Sequence, residues 1–173
     1  MQGRWSTFPL TSFAVADLKQ QQLSMDTRLA ITFTPALSLE AFAQPFISSG
    51  QYSRFKEFSA PRSGEMLLYG QDRGTIIATG AGEDREYQVD PDGAGPAATF
   101  AFEDPDFNFR SLRGNAVLRW EYRPGSTLFL VWTQDRNDTD PFGDLQFGRD
   151  RRALFSADPT NIFLIKMNYW LGV

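Results

Sequence analysis

The sequence predicts an all-β protein, an antiparallel up-and-down meander. Three observations lead there. Apolar and polar residues alternate with a period of two along several long stretches, the spacing that puts one residue type on each face of a strand. Tight turns and long polar connections follow one another down the chain. The composition agrees: of 173 residues 14% are aromatic, and 14 Gly and 10 Pro suit strands and turns better than helices.

Taken in order, SFAVADL (12–18) is a weak strand candidate. In QLSMDTRLAITFT (22–34), Leu23, Met25, Thr27, Leu29, Ile31 and Phe33 alternate with Ser24, Asp26, Arg28, Ala30, Thr32 and Thr34. Thr34-Pro35-Ala36 makes a tight turn into LSLEAFAQPFIS (37–48), where Leu37, Leu39, Ala41, Ala43, Pro45 and Ile47 oppose Ser38, Glu40, Phe42, Gln44, Phe46 and Ser48. EMLLY (65–69) is a short strand or a loop element. In LRGNAVLRWEYR (112–123), Leu112, Gly114, Ala116, Leu118, Trp120 and Tyr122 oppose Arg113, Asn115, Val117, Arg119, Glu121 and Arg123. Pro124-Gly125, a strong turn dipeptide, leads into STLFLVWTQ (126–134), apolar on both faces in its middle. The chain closes on NIFLIKMNYWLGV (161–173), with Phe163, Ile165, Met167, Tyr169, Leu171 and Val173 on one parity and Lys166 and Asn168 on the other. No helical period of comparable strength is found.

The main candidates run about 11–13 residues, against about 5–6 for soluble strands and about 9–11 for a strand that crosses a membrane at a tilt. The tight turns fall on one side of the meander. The long connections, about 50–108 and about 137–160, fall on the other. Short turns on one side and long loops on the other are how transmembrane outer-membrane β-barrels are built. The whole chain, 1–173, is therefore expected to be a single segment, the C-terminal part of such a barrel. About five to seven strands fall short of the smallest common barrel of about eight, so an open sheet or a barrel completed by further strands is expected. The first connection is acidic: residues 71–106 hold nine acids and two bases, while the whole chain carries only −4.

Other classes are disfavoured. The acidic balance offers no basic stripe for nucleic acid. Without Cys there is neither a disulfide framework nor a thiolate metal site, and without His the commonest general base and zinc ligand are gone. No apolar run approaches a membrane helix, and MQGRWSTFPL has no apolar segment of leader length. An exported chain of this kind is expected to be the tail of a longer protein.

DPDFNFRSLRGNAVLRWEYRPGSTLFLVWTQDRND (104–138), TFTPALSLEAFAQPFISSGQYSRFKEFSAPR (32–62) and the terminal NIFLIKMNYWLGV resemble the C-terminal barrel region of the family called domain of unknown function 5916. The resemblance runs from about residue 12 to 173; WEYRPGSTLF and AQPFISSGQYSRFKE are its distinctive strings. It implies a bacterial outer-membrane protein whose complete members carry an N-terminal domain similar to family-9 carbohydrate-binding modules. That domain is absent from this sequence. The partners implied are outer-membrane lipid, the barrel-assembly machinery and, through the absent domain, glycan. The ending also resembles the recognition signal of outer-membrane barrels, with Tyr169, Leu171 and Val173 at alternate positions.

Four sets of residues are candidates for function. Asp26, Arg28, Glu40, Gln44, Arg113, Asn115, Arg119, Glu121, Arg123, Lys166 and Asn168 would line a polar lumen, either passing a polar solute or pairing with one another across strands. Asp90, Asp92, Asp104 and Asp106 have the alternate spacing with which calcium loops begin, although Asp-Pro and Asp-Gly also make turns without metal. Trp120, Tyr122 and Tyr169 sit where a membrane-belt aromatic would; Trp5, Trp132 and Trp170 complete that set, for which sugar stacking is the other reading, and the parity of Trp170 does not fit the belt. No nucleophile or phosphate-binding motif is present, so no enzyme activity and no cofactor are expected. The expected function is the C-terminal segment of an outer-membrane barrel, serving as membrane anchor or channel. The alternatives are a soluble ligand-binding barrel or sandwich and a secreted glycan-acting enzyme.

Overall fold

The computed structural model describes residues 14–60 and 62–172. Among the described residues ten strands form: β1 (Val15–Ser24), β2 (Thr27–Thr34), β3 (Leu37–Phe58), β4 (Met66–Leu68), β5 (Thr75–Thr79), β6 (Glu86–Asp90), β7 (Phe100–Glu103), β8 (Phe107–Arg123), β9 (Ser126–Asp140) and β10 (Thr160–Asn168). A 3-10 turn (Gly82–Asp84) and one helix, α1 (Phe147–Ser156), complete the described elements. The protein is all-β, as the alternation predicts.

The main sheet runs β1-β3-β8-β9-β10, with β2 and β4 also paired to β3. Among the described residues no pairing joins the β1/β2 edge to the β10 edge, so the sheet is open. β2 and β4 pair antiparallel with β3, and β10 antiparallel with β9. β1 and β2 follow one another along β3, interrupted at Met25 and Asp26. Pro45 explains the interruption: it has no N–H to give the ladder. What remains there is the bond from Met25 N to the Pro45 carbonyl, 3.1 Å.

Most expected strands form, with shifted bounds; the single 22–34 strand is instead divided, its first residues ending β1 and Thr27–Thr34 making β2. The first two residues of the 12–18 candidate lie outside the described residues. The 37–48 strand runs on to Phe58, and the terminal strand stops at Asn168. Two further features depart from expectation. The 50–108 stretch carries the end of β3 and all of β4–β7, and the 137–160 stretch carries α1.

The chain divides into two compact units. Of the described residues the first comprises 14–20, 49–60, 62–107 and 140–144. Its centre is aromatic. In the β5-β6-β7 sheet, Ile76 faces Val89 and Ala78 faces Tyr87; Tyr87 then faces Phe102, and Val89 faces Phe100. Ile76, Tyr87, Val89, Phe100 and Phe102 pack with Phe55 and Tyr69, while Ala78 stays exposed. Phe55 lies 4.8 Å from the Tyr87 ring and 5.0 Å from the Phe102 ring. Gly50 admits the Phe107 ring, which a Cβ there would overlap.

The second unit comprises, of the described residues, 21–48, 108–139 and 145–172, and is built quite differently. Its only buried apolar side chains among the described residues are Ile47 and Leu154. Most of the rest is a sheet with both faces open. Gly125 closes the β8–β9 turn at φ +76°, a conformation glycine adopts without the Cβ penalty.

Candidate functional site

The two faces of the second unit divide by chemistry. The β2/β3 register sets Leu29 opposite Ala41, Ile31 opposite Leu39 and Thr27 opposite Ala43, all on one face. The other face pairs Arg28 with Phe42, Ala30 with Glu40 and Thr32 with Ser38. Arg28, Glu40 and Phe42 border an open concavity of about 460 Å³ that Asn115 and Val117, and also Leu29 and Ala41 of the other parity, help to line. The β9/β10 register continues the division only near the turn: Lys166 lies opposite Phe129 and Asn168 opposite Thr127, but the same parity also carries Leu164 opposite Val131 and Ile162 opposite Thr133, while Ile165 faces Leu130 and Met167 faces Leu128 on the other.

The apolar face is exposed. Leu23, Met25, Leu29 and Phe33 keep 43–57% of their surface, and Phe163, Ile165 and Met167 keep 66–75%. α1 stands over Leu23 and Met25 at one end of the row from Leu23 to Phe33, and Leu29 and Phe33 beyond it stay half-exposed.

Several polar-face candidates meet, whereas Arg123, at the end of β8, meets Tyr169 of the aromatic set instead. Gln44 Nε2 donates to Asp26 Oδ1 at 2.7 Å. The Arg119 guanidinium lies 3.4 Å from the Glu121 carboxylate, and Arg113 lies 3.9 Å from Asp135. Asn115 Nδ2 donates to Thr133 Oγ1 at 3.1 Å. Arg28 sits over the Phe42 ring, 5.7 Å from its centroid. Asp135 and Thr133 are additions that sequence reasoning missed: the apolar middle of 126–134 gives Thr133 no clear parity, and Asp135 lies beyond that stretch because β9 runs on to Asp140.

The aromatic candidates gather beside the Pro124-Gly125 turn. Trp120 and Tyr122 rings are 6.1 Å apart. Tyr122 Oη donates to the Asn168 carbonyl at 3.4 Å, and the Arg123 guanidinium donates to Tyr169 Oη at 2.6 Å. Trp170 joins them. Its N–H donates to Ser126 Oγ at 2.9 Å, and its side chain packs at Gly125, where an added Cβ would come within 3.1 Å. Parity failed for Trp170 because β10 has already ended at Asn168, and alternation means nothing beyond a strand's end. Trp132 lies apart, stacked on Phe163 at 6.5 Å with its Nε1 donating to Asn161 Oδ1 at 2.9 Å. Trp5 lies outside the described residues.

The opposite end of the apolar face carries α1. Asp150 and Leu154, one turn apart, are its buried residues. Asp150 Oδ2 accepts the Gln146 N–H at 2.8 Å, which satisfies a free donor at the helix start. Arg136 donates to the carbonyls of Phe155 (2.6 Å) and Ala157 (3.3 Å), which satisfies acceptors at the helix end. Arg110, fully buried, lies 2.9 Å from Asp138 and 3.7 Å from Asp150. This buried cluster was not legible in sequence.

In the first unit the acidic residues fasten turns. Asp90 Oδ1 accepts the N–H groups of Asp92 (3.3 Å) and Gly93 (2.8 Å), and Asp92 Oδ2 accepts that of Ala97 (3.0 Å). Asp104 accepts the Asp106 N–H at 3.1 Å and lies 3.3 Å from Arg85; Asp106 accepts the Tyr52 N–H at 2.6 Å. Among the described residues no three or more His, Cys, Asp or Glu are grouped to hold a metal ion. Burial pushes the Asp106 carboxyl up, against the Tyr52 N–H that favours its charged form. Burial also raises the Tyr87 phenol. It raises the Tyr69 phenol further, where Tyr69 Oη donates to Glu57 at 2.9 Å. The hydrogen bond from Lys56 holds the Asp17 carboxyl below its ordinary value.

No helix among the described residues is long and apolar enough to cross a membrane, which says nothing of strands. A family model described as Domain of unknown function (DUF5916) matches residues 78–173, more than half of the chain. No curated protein and no solved structure matches.

Proposed function

This chain belongs to the Domain of unknown function (DUF5916) family, and we propose that it forms part of the wall of an outer-membrane β-barrel, anchoring its protein in the lipid. One observation carries the reading: a broad apolar sheet face, uncovered along most of its length, backed by a face of paired polar groups. In water such a face costs about 25 cal/mol for each Å² left exposed, and soluble monomers rarely show apolar patches beyond a few hundred Å². In hydrocarbon the same face is at home. The apolar rows along the end of β1 and β2, along β3 and along β8 each span about ten residue steps, from Leu23 to Phe33, Leu37 to Ile47 and Leu112 to Tyr122, which at strand rise and a tilt of about 40° gives an apolar band of about 25 Å. Trp120, Tyr122, Tyr169 and Trp170 mark one border as interfacial aromatics. Gln134 and Asn161 mark the other.

Neither sheet edge can stay unpaired in hydrocarbon, so the reading includes further strands that pair with β1/β2 on one side and with β10 on the other. The polar face then lines the interior. Its Gln44–Asp26, Arg119–Glu121 and Arg113–Asp135 contacts favour an ion-paired, structural interior and hence an anchor over an open channel.

The test is physical. The protein is expected to remain with membranes until detergent is added, and to migrate faster on a gel unheated than boiled. Release into plain buffer as a compact monomer contradicts the proposal.

A further inference from the structure

We infer that the rim of the apolar face beneath α1 is a binding site for an anionic, phosphate-bearing lipid. It takes one acyl chain into a groove and the phosphate onto Arg151. This rests on the membrane reading above and extends it to one headgroup chemistry.

The groove is a cavity of about 330 Å³ between helix and sheet. Leu23, Met25, Pro45 and Ile47 form its floor, and Phe147 and Phe155 its wall. Nearly everything it presents is apolar. Phe147 and Phe155 keep 58% of their surface, and Met25 57%, although they stand together. Two aromatic rings held open against a sheet are what an acyl chain fills. A polar solute would leave its own hydrogen bonds unmade there.

Charge decides the headgroup. Phe147, Arg151 and Phe155 recur every fourth residue and so form one stripe of α1, and Arg151 borders the groove. Its guanidinium has no hydrogen bond or ion pair among the described residues, unlike its neighbours. Arg149 is neutralised by Asp150 at 2.9 Å, and Arg152 Nε donates to the Gly148 carbonyl at 3.1 Å, a bond that leaves its charge uncompensated. Asp150, the helix's one acid, is buried against Arg110. An exposed cation at the mouth of an apolar slot is therefore matched by a phosphate on an acyl chain. Arginine's planar fork suits phosphate oxygens, and an amphipathic helix with arginines on its polar side lies naturally at the headgroup level.

The purified protein is inserted into vesicles of phosphatidylcholine alone or mixed with phosphatidylglycerol, extracted in mild detergent, and retained lipid is read by native mass spectrometry. Phosphatidylglycerol is expected to be retained preferentially. Arg151→Ala weakens that preference about fivefold, and the Arg151→Ala/Arg152→Ala pair further, whereas Arg62→Ala leaves it unchanged. Met25→Trp, at an exposed position that folding tolerates, blocks the groove and reduces retention of both lipids. Insertion with equal retention of the two lipids overturns the lipid site alone, as does a preference indifferent to Arg151. A polypeptide in place of lipid in the groove overturns it as well. Failure to insert into either vesicle overturns the membrane reading itself.

Discussion

Changing Leu29 to arginine separates a lipid-facing sheet from a water-facing one. Leu29 is 50% exposed. It stands six residues from Leu23 and four from Phe33. At about 3.3 Å per residue and a tilt of about 40°, it lies about 15 Å from one border of the band and about 10 Å from the other. That is close to the bilayer centre, where an arginine on the lipid face costs about 2–4 kcal/mol, or about 30- to 700-fold in the folding equilibrium. In water the same change at a half-exposed site would fall within about 0.5 kcal/mol. The neighbouring Ala30→Arg is the control. Residue 30 faces Glu40 across the strand pair, so an arginine there gains an opposite charge and costs nothing measurable. The assay is reversible guanidinium unfolding from phospholipid vesicles, followed by tryptophan fluorescence. If Leu29→Arg and Ala30→Arg lower stability equally, the division into lipid and interior faces is refuted.

Further outcomes follow from the two units. Phe55→Ala removes the ring that Tyr87 and Phe102 pack against and should cost about 3–5 kcal/mol, read as faster amide exchange across β5–β7. Gly125→Val places a Cβ at φ +76° and 3.1 Å from Trp170, and should cost about 1–2 kcal/mol or more in a denaturant titration; Gly125→Asn should cost less. The Asp17 carboxyl is depressed by the Lys56 hydrogen bond, so its stabilising contribution is present above about pH 4 and lost as pH falls through the folded-state value. Denaturation midpoints measured down the pH scale should therefore show Asp17→Asn less stable near neutrality, with the two proteins converging in acid.

What could be read from sequence follows from how many residues repeat a signal. The rows Leu23–Phe33 and Leu112–Tyr122 repeat their alternation over ten residue steps, long enough to be counted, and the β2/β3 register pairs Thr27, Leu29 and Ile31 with Ala43, Ala41 and Leu39 as that alternation expects. β4–β7 are three to five residues long. Their inward residues, such as Tyr87 and Val89 or Phe100 and Phe102, give only one repeat each, between outward acids that make the stretch look like loop. α1 was missed because only Asp150 and Leu154 turn inward, and a buried aspartate does not register as part of an apolar stripe. Its meaning depends on Arg110, forty residues earlier in the chain. The break at Met25 and Asp26 was masked by a pattern that keeps its parity straight through it.

The account rests most on which medium touches each face of β8. Nitroxide labels placed one at a time from Arg113 to Glu121 in the membrane-reconstituted protein report this directly, through collision with oxygen dissolved in lipid or with a polar nickel chelate in water. The account predicts strict alternation: high oxygen collision at 114, 116, 118 and 120, and weaker oxygen with stronger nickel collision at the odd positions between them. Nickel access along the even row equal to that along the odd row would contradict it.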